Sequence, residues 1–154
     1  MPNIREDLSK DHQEHERTLK KLAEMAESDS SFEGFHRVWV PFERNLLEHL
    51  DAEEHSLFCV FAGAHRDEII ALRAEHCRIR YALIELSVCV ELHTVKRAAI
   101  DDLLNLVREH IEHENRTLHN WLDEDESISS QRGVLAMLSH RARAAEELAE
   151  PRSR

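Results

Sequence analysis

The chain has 154 residues, enough for one domain with one sizeable core, since a chain of this size hides roughly two thirds of its unfolded surface on folding. Twenty Lys and Arg against 31 Asp and Glu leave a formal charge of −11, which argues against the phosphate backbone of nucleic acid and anionic membrane surfaces as partners. No apolar run nears the roughly 18 residues that a membrane helix needs, and MPNIREDLSKDH holds no apolar signal segment, so a cytoplasmic location is expected. Cys59, Cys77 and Cys89 are odd in number, lack CxxC spacing and sit in helical patterns, and are therefore expected as buried, reduced thiols rather than a disulfide framework. The anomaly is 12 His beside only 3 Gly, 3 Pro and 1 Tyr.

Scarce Gly and Pro, and apolar residues recurring every three or four positions, predict an all-α fold. A first helix opens at Asn3, with Glu6 completing a capping box, and carries Ile4, Leu8, Leu19, Leu22 and Ala26 before a Ser/Asp cluster at 28 to 31 ends it. A second starts near Ser30 or Ser31 and runs through Trp39, Phe42, Leu46, Leu50, Leu57 and Val60 to Gly63, with Pro41 marking either its first turn or a kink. A third spans about 66 to 92 and a fourth about 95 to 122, around a turn at His93 and Thr94 that no Gly or Pro punctuates. The stretch DEDESISSQ is a loop, and Gly133 to Ala149 forms a short further helix ending before Pro151. Long helices with short connections pack antiparallel, so residues 1–125 are expected as an up-down-up-down four-helix bundle and 126–154 as a loop, short helix and tail.

Several histidines fall on the apolar stripes. On the first helix His12 and His15 occupy core positions between Leu8 and Leu19. On the second, His49 and Glu53 stand one turn apart and inward, about 6 Å along the axis. The fourth repeats this with His110 and Glu114, and the third contributes His76 between Leu72 and Ile79. The halves resemble each other: Asp11-His12 recurs as Glu75-His76, 64 residues on, and His49-xxx-Glu53-xxx-Leu57 as His110-xxx-Glu114-xxx-Leu118, 61 residues on. His15 has no such counterpart, because Ile79 stands there.

Two carboxylates and five imidazoles buried without compensation would cost several kcal/mol per unpaired group, more than a marginally stable domain absorbs. Two divalent or trivalent ions answer this, with imidazole nitrogens terminating each and the carboxylates bridging both. Such ligation suits iron and can hold zinc or manganese; Mg²⁺ and Ca²⁺ prefer oxygen shells.

Four elements in order, Lys10-Asp11-His12, Glu48-His49-xxx-Glu53-Glu54 with Leu57-Phe58, Glu75-His76 and Glu109-His110-xxx-Glu114, make residues 4 to 122 resemble the hemerythrin-like (HHE cation-binding) domains. The resemblance implies a bundle around an oxo- or hydroxo-bridged di-iron centre, with His12 and His49 on one iron, His76 and His110 on the other, and Glu53 and Glu114 as bridges. The oxygen carriers of the family have a second His one turn after the third-helix ligand. Here that position is Arg80, which moves the expectation from reversible oxygen transport toward a module that binds or responds to O₂, nitric oxide or peroxide. Iron handling (sensing, storage or repair of iron centres) and peroxide decomposition or ferroxidase chemistry are the alternatives the same centre allows.

The remaining polar residues are expected elsewhere. His15 is either a further ligand or a residue packed beside the site. His113, His55, His65, His93, His119 and His140 are expected at the surface, and Glu54 and Glu109 on solvated faces. Arg80 either holds a carboxylate near the site or extends to solvent. The C-terminal helix, with Val134, Leu135, Leu138 and Leu148, is the expected place for a protein partner or homodimer contact.

Overall fold

Alternation of buried and exposed positions along each helix decides how the chain packs. The structure is a computed structural model that describes residues 4–28 and 30–124. Helix α1 (Ile4–Glu27) buries Ile4, Leu8, His12, His15, Leu19, Leu22 and Ala23 along one stripe. Helix α2 (Phe32–His55) starts at an N-cap, Ser31, whose hydroxyl accepts the Gly34 N–H at 3.1 Å; such caps satisfy a donor that the first turn leaves open. Pro41 lies inside α2 and is exposed, so it is not the first turn, and the donor it lacks is lost on the solvent side. Helix α3 (Leu57–Phe61), α4 (Arg66–Glu91), α5 (Arg97–Arg116) and α6 (Leu118–Glu124) follow.

The second and fourth predicted helices are each interrupted, at Ser56 (φ −121°, ψ −76°) and Thr117 (φ −119°, ψ −82°). In both places a hydroxyl competes for the carbonyl four residues back: Ser56 Oγ donates to Ala52 O, and Thr117 Oγ1 to His113 O at 2.8 Å. Back-bonding of this kind bends and loosens a helix. The interruptions are 61 residues apart, the repeat offset, and each comes three residues after an inward glutamate. With α2–α3 and α5–α6 each counted as one broken rod, the fold is a four-helix bundle with the all-α architecture the periodicity predicts. Around its perimeter α1 contacts α2 and α5, and α4 contacts α2 and α5.

The turn after α4 is built without glycine. His93 takes a left-handed backbone (φ 57°), while the Thr94 N–H bonds to Cys89 O at 2.9 Å and the His93 N–H to Val90 O at 3.1 Å. That is the Schellman arrangement, and His93 is held in it by stacking on Phe32, with ring centroids 3.6 Å apart. Cys59 and Cys77 are exposed and Cys89 is half-buried, all as free thiols. They are reduced as expected but not buried, because their positions lie off the apolar stripes. The helix predicted over Gly133–Ala149, and with it the proposed 126–154 segment, falls outside the described residues. Among the described helices none is long and apolar enough to cross a membrane.

Two apolar clusters fill the bundle. The larger contains Leu19, Leu22, Trp39, Phe42, Leu46 and Leu83 among others; the smaller gathers Ile4, Leu8, Leu57, Phe58, Leu72 and Leu118. Leu57 and Leu118 continue the inward stripes into this second cluster, and the break at Ser56 brings Phe58 in beside them. Between the two lies the polar layer. Leu8, fully buried, is expected to cost about 2–5 kcal/mol when cut to Ala, whereas Val40→Ala, at a position 41% exposed, should stay within about 0.5 kcal/mol apart from helix propensity. Urea unfolding of the two variants checks the contrast.

Candidate metal centre

Each inward residue is delivered by its helix stripe. His12 from α1 and His49 from α2 bring their Nε2 atoms to 3.1 Å, and His76 from α4 and His110 from α5 bring theirs to 3.0 Å. Glu53 lies between the pairs, with Oε1 3.0 Å from His49 Nε2 and Oε2 3.4 Å from His76 Nε2. Glu114 does the same from the other side, with Oε1 3.1 Å from His110 Nε2 and Oε2 3.2 Å from His12 Nε2. All six are at most 5% exposed. Despite these distances, none of the four carboxylate oxygens meets hydrogen-bond geometry.

The outer faces of the imidazoles explain why their Nε2 atoms converge. The Nδ1–H of His49 donates to Asp11 Oδ2 (3.1 Å), that of His110 to Glu75 Oε2 (2.8 Å), and that of His76 to Glu54 Oε1 (2.8 Å). A carboxylate on Nδ1 orients the ring so that Nε2 faces inward, and makes that nitrogen more basic. These carboxylates are themselves held: Glu54 accepts from Arg80 Nη1 (2.6 Å), which reaches Asp51 at 2.7 Å through Nη2. Glu75 accepts from His113 Nδ1 (2.7 Å), and His113 Nε2 donates to Glu68 (2.8 Å). Burial opposes the ionised forms of Glu54 and Glu75, yet Arg80 with His76, and His110 with His113, keep both below the usual carboxylate range.

Inside, opposing charges set the titration. Burial alone would lower the His49 imidazole, but Glu53 and Asp11 outweigh it and raise it to about 9. His110 is raised well above its ordinary value against the same burial, chiefly by Glu114. Burial and the facing Glu53 push the Glu114 carboxyl up, while His110 and His12 draw it down to about 2. Glu53 is likewise held well below the carboxylate range, with His49 foremost in opposing its burial. The metal-free layer therefore stays charged by holding protons where a cation would otherwise sit.

The residues fit a metal pair. His12, His49, Glu53 and Glu114 form one group whose ligand atoms all lie within 4.8 Å of one another, and Glu53, His76, His110 and Glu114 form another. The two share both carboxylates. Two imidazole Nε2 atoms converge in each half, and carboxylate oxygens without hydrogen-bond geometry face both halves. That is the donor set a pair of nitrogen- and oxygen-tolerant transition ions requires.

Of the seven residues expected inward, the structure brings these six together. His15 is also buried, at 5%, but stands edge-on to His49 (centroids 5.2 Å) and to Phe42 (6.2 Å), outside both groups. Sequence reasoning missed three kinds of contributor. Glu54 does turn about 100° away from Glu53, as successive helical residues must, but the direction it takes faces α4, where it holds His76. Asp11 and Glu75 obey the same rule: each precedes one inward His and supports the His of the neighbouring helix. His113 is half-buried rather than solvated. The Asp-His, Glu-Glu and Glu-His dipeptides were the available signal.

His119 is the largest correction. Expected at the surface, it is 2% exposed, lies parallel to the His12 ring (centroids 5.9 Å, 2° between planes), and its Nε2 has no hydrogen bond. The break at Thr117 rotates it inward from the register of an unbroken helix. Its repeat counterpart is Phe58, which packs on the His76 ring (4.9 Å) in the other half. Imidazoles at 15 and 119 thus flank the His12–His49 half, while the counterpart of His119, Phe58, flanks the His76–His110 half, and Ile79, the counterpart of His15, is buried in the larger apolar cluster.

A bundle of four helices enclosing a shared layer of imidazoles and carboxylates defines a helical metal-binding domain. The chain belongs to the hemerythrin family: the hemerythrin HHE cation binding domain model matches residues 3–122. No curated protein and no solved structure matches it.

Metal must displace the proton that His49 carries in the metal-free protein below about pH 9. Uptake at pH 7 is therefore expected to release protons, with affinity strengthening as pH rises toward 9 and levelling beyond it for this group. Calorimetric metal titration at pH 7 in buffers of different ionisation enthalpy reads the proton count directly; a heat independent of buffer would contradict the assignment.

Proposed function

We propose that this chain holds a carboxylate-bridged pair of iron ions and uses it to bind or respond to O₂, nitric oxide or peroxide. The observation that carries the reading is that Glu53 and Glu114 each direct one oxygen to each His pair, at 3.0 and 3.4 Å and at 3.1 and 3.2 Å. His12 and His49 would hold one iron, His76 and His110 the other, and the two glutamates would bridge them. When bound, the pair supplies redox electrons and an exchangeable coordination position. The protein's own work is to orient the imidazoles through Asp11, Glu54 and Glu75, and to exclude water with the apolar clusters on either side of the layer.

Family membership and the mixed nitrogen and oxygen donors support iron; zinc and manganese are the competing occupants of such a donor set. Burial of every ligand to 5% or less favours a tightly kept centre over iron handling, which needs release, so slow loss to a weak chelator is expected. Peroxide decomposition and ferroxidase chemistry use the same pair. Both require exchangeable positions on it, which the placement of His15 outside the two donor groups would leave open.

The two metal positions are not equivalent on this reading. His119, with a buried Nε2 that makes no hydrogen bond, gives the His12–His49 half a further imidazole, while Phe58 leaves the other half apolar and more open to a small exogenous ligand.

Elemental analysis of protein from iron-supplemented cells, read with its absorption spectrum, is expected to show close to two irons per chain and an oxo-bridged di-iron band. One zinc, or a folded protein without metal, would sink the reading. Glu53→Gln and Glu114→Gln should each reduce metal content below two per chain, with the helical circular dichroism kept. His119→Phe, which copies the other half, should weaken one of two cobalt-binding steps of the metal-free protein by about tenfold or more, as loss of supporting groups does elsewhere; equal effects on both steps would remove the inequivalence.

A further inference from the structure

Helix α4 is apolar on two faces. One face buries Ile69, Leu72, His76, Ile79, Leu83, Leu86 and Val90 in the bundle. On the opposite face Ile70, Tyr81, Ile84, Val88 and Leu92 stand 54, 69, 61, 54 and 66% exposed, with Ala74 and Cys77 exposed between them. At about 100° per residue, all of these fall within about 60° of the direction of Tyr81. A continuous seam of this length, with three- and four-residue spacing, is the pattern of a helix that packs against another helix. Isolated exposed apolar residues are ordinary; a contiguous stripe marks a contact surface.

We propose that α4 pairs antiparallel with α4 of a second copy of this chain, about a two-fold axis passing beside Tyr81. Such an axis sets each residue a given distance before Tyr81 opposite the one equally far after it. Tyr81 then meets the partner's Tyr81, Ala74 meets the partner's Val88, and Ile70 meets the partner's Leu92, so that the seam covers itself along its length. The charges at its edge select this arrangement. Arg78 and Glu85, both exposed, lie on the same side of the stripe, three residues before and four after Tyr81. An antiparallel two-fold keeps that side in common, and so places Arg78 within about 1.5 Å of axial height of the partner's Glu85, twice per interface. On the other edge, Cys77 and the partner's Ile84 meet in the same way. A parallel pairing sets Arg78 beside the partner's Cys77 and leaves its charge unmatched. Complementary edge charges fix orientation and register in helix pairs.

The full chain is expected to sediment as a dimer across a micromolar dilution series. Ile84→Asp should give a monomer with unchanged helical circular dichroism, and because the residue lies outside the metal layer its metal content should match the parent. Arg78→Glu and Glu85→Arg should each weaken the dimer about tenfold or more by setting like charges face to face. An equimolar mixture of these two variants should regain it, since opposite charges then face each other across both ends of the edge. A monomeric parent protein, a dimer indifferent to Ile84→Asp, or a mixture that does not recover would each overturn the pairing. A monomer destabilised by Ile84→Asp would place another segment of the same chain on this face, and overturns it equally.

Discussion

Two ionisable carboxylates buried at one level of an apolar bundle are the constraint on which the rest of this structure depends. Glu53 and Glu114 are 1% and 0% exposed and face each other across four imidazoles. Neither tolerates that position as a lone anion, since desolvation of a buried charge outweighs what a single imperfect partner returns. The surroundings are organised around this. Each inward imidazole with a carboxylate on Nδ1 aims Nε2 at the glutamates, and an apolar cluster on each side keeps the layer dry. In such a medium a positive charge at the centre counts for far more than it would in water.

The bundle reaches this by using one plan twice and then departing from it. The Asp11–His49 and Glu75–His110 contacts are equivalent under the repeat, as are the breaks at Ser56 and Thr117. Both breaks put a hydroxyl where it captures a carbonyl, and after them Phe58 and His119, equivalent under the repeat, lie buried against His76 and His12. The departures fall differently in the two halves: His15 and His119 stand in one where the repeat has Ile79 and Phe58, and Glu54 with Arg80 supports His76 only in the other. A near-symmetric scaffold thereby offers two chemically different surroundings for its two groups of donors.

Helix α4 joins the two themes. Its inner face supplies His76 to the layer, its flank supplies Arg80 to Glu54, and its outer face is the apolar seam. Arg80, at the place where the family's oxygen carriers have another histidine, contributes to the site through the carboxylate it holds rather than through the metal position itself.

Helix periodicity, the polar residues interrupting it and the repeat were legible in the chain, because side chains one turn apart share a face whatever that face meets. Six inward residues and the four-rod architecture followed from this alone. What lay beyond it were relations between helices. Glu54 was correctly seen to turn from Glu53, but what it turns toward depends on where α4 packs. An unbroken helix turns His119 outward, and the break that rotates it depends on a hydroxyl's choice of acceptor. Number and spacing exclude a disulfide framework for the cysteines but not an exposed position, and their angular positions put Cys59 and Cys77 outside. The sequence by itself determined the inward stripe of each unbroken helical run, since that is set by 3.6 residues per turn. Only the tertiary structure decided which carboxylate supports which imidazole and which half of the site carries the extra histidines, since those depend on the rotation and register of one helix against another.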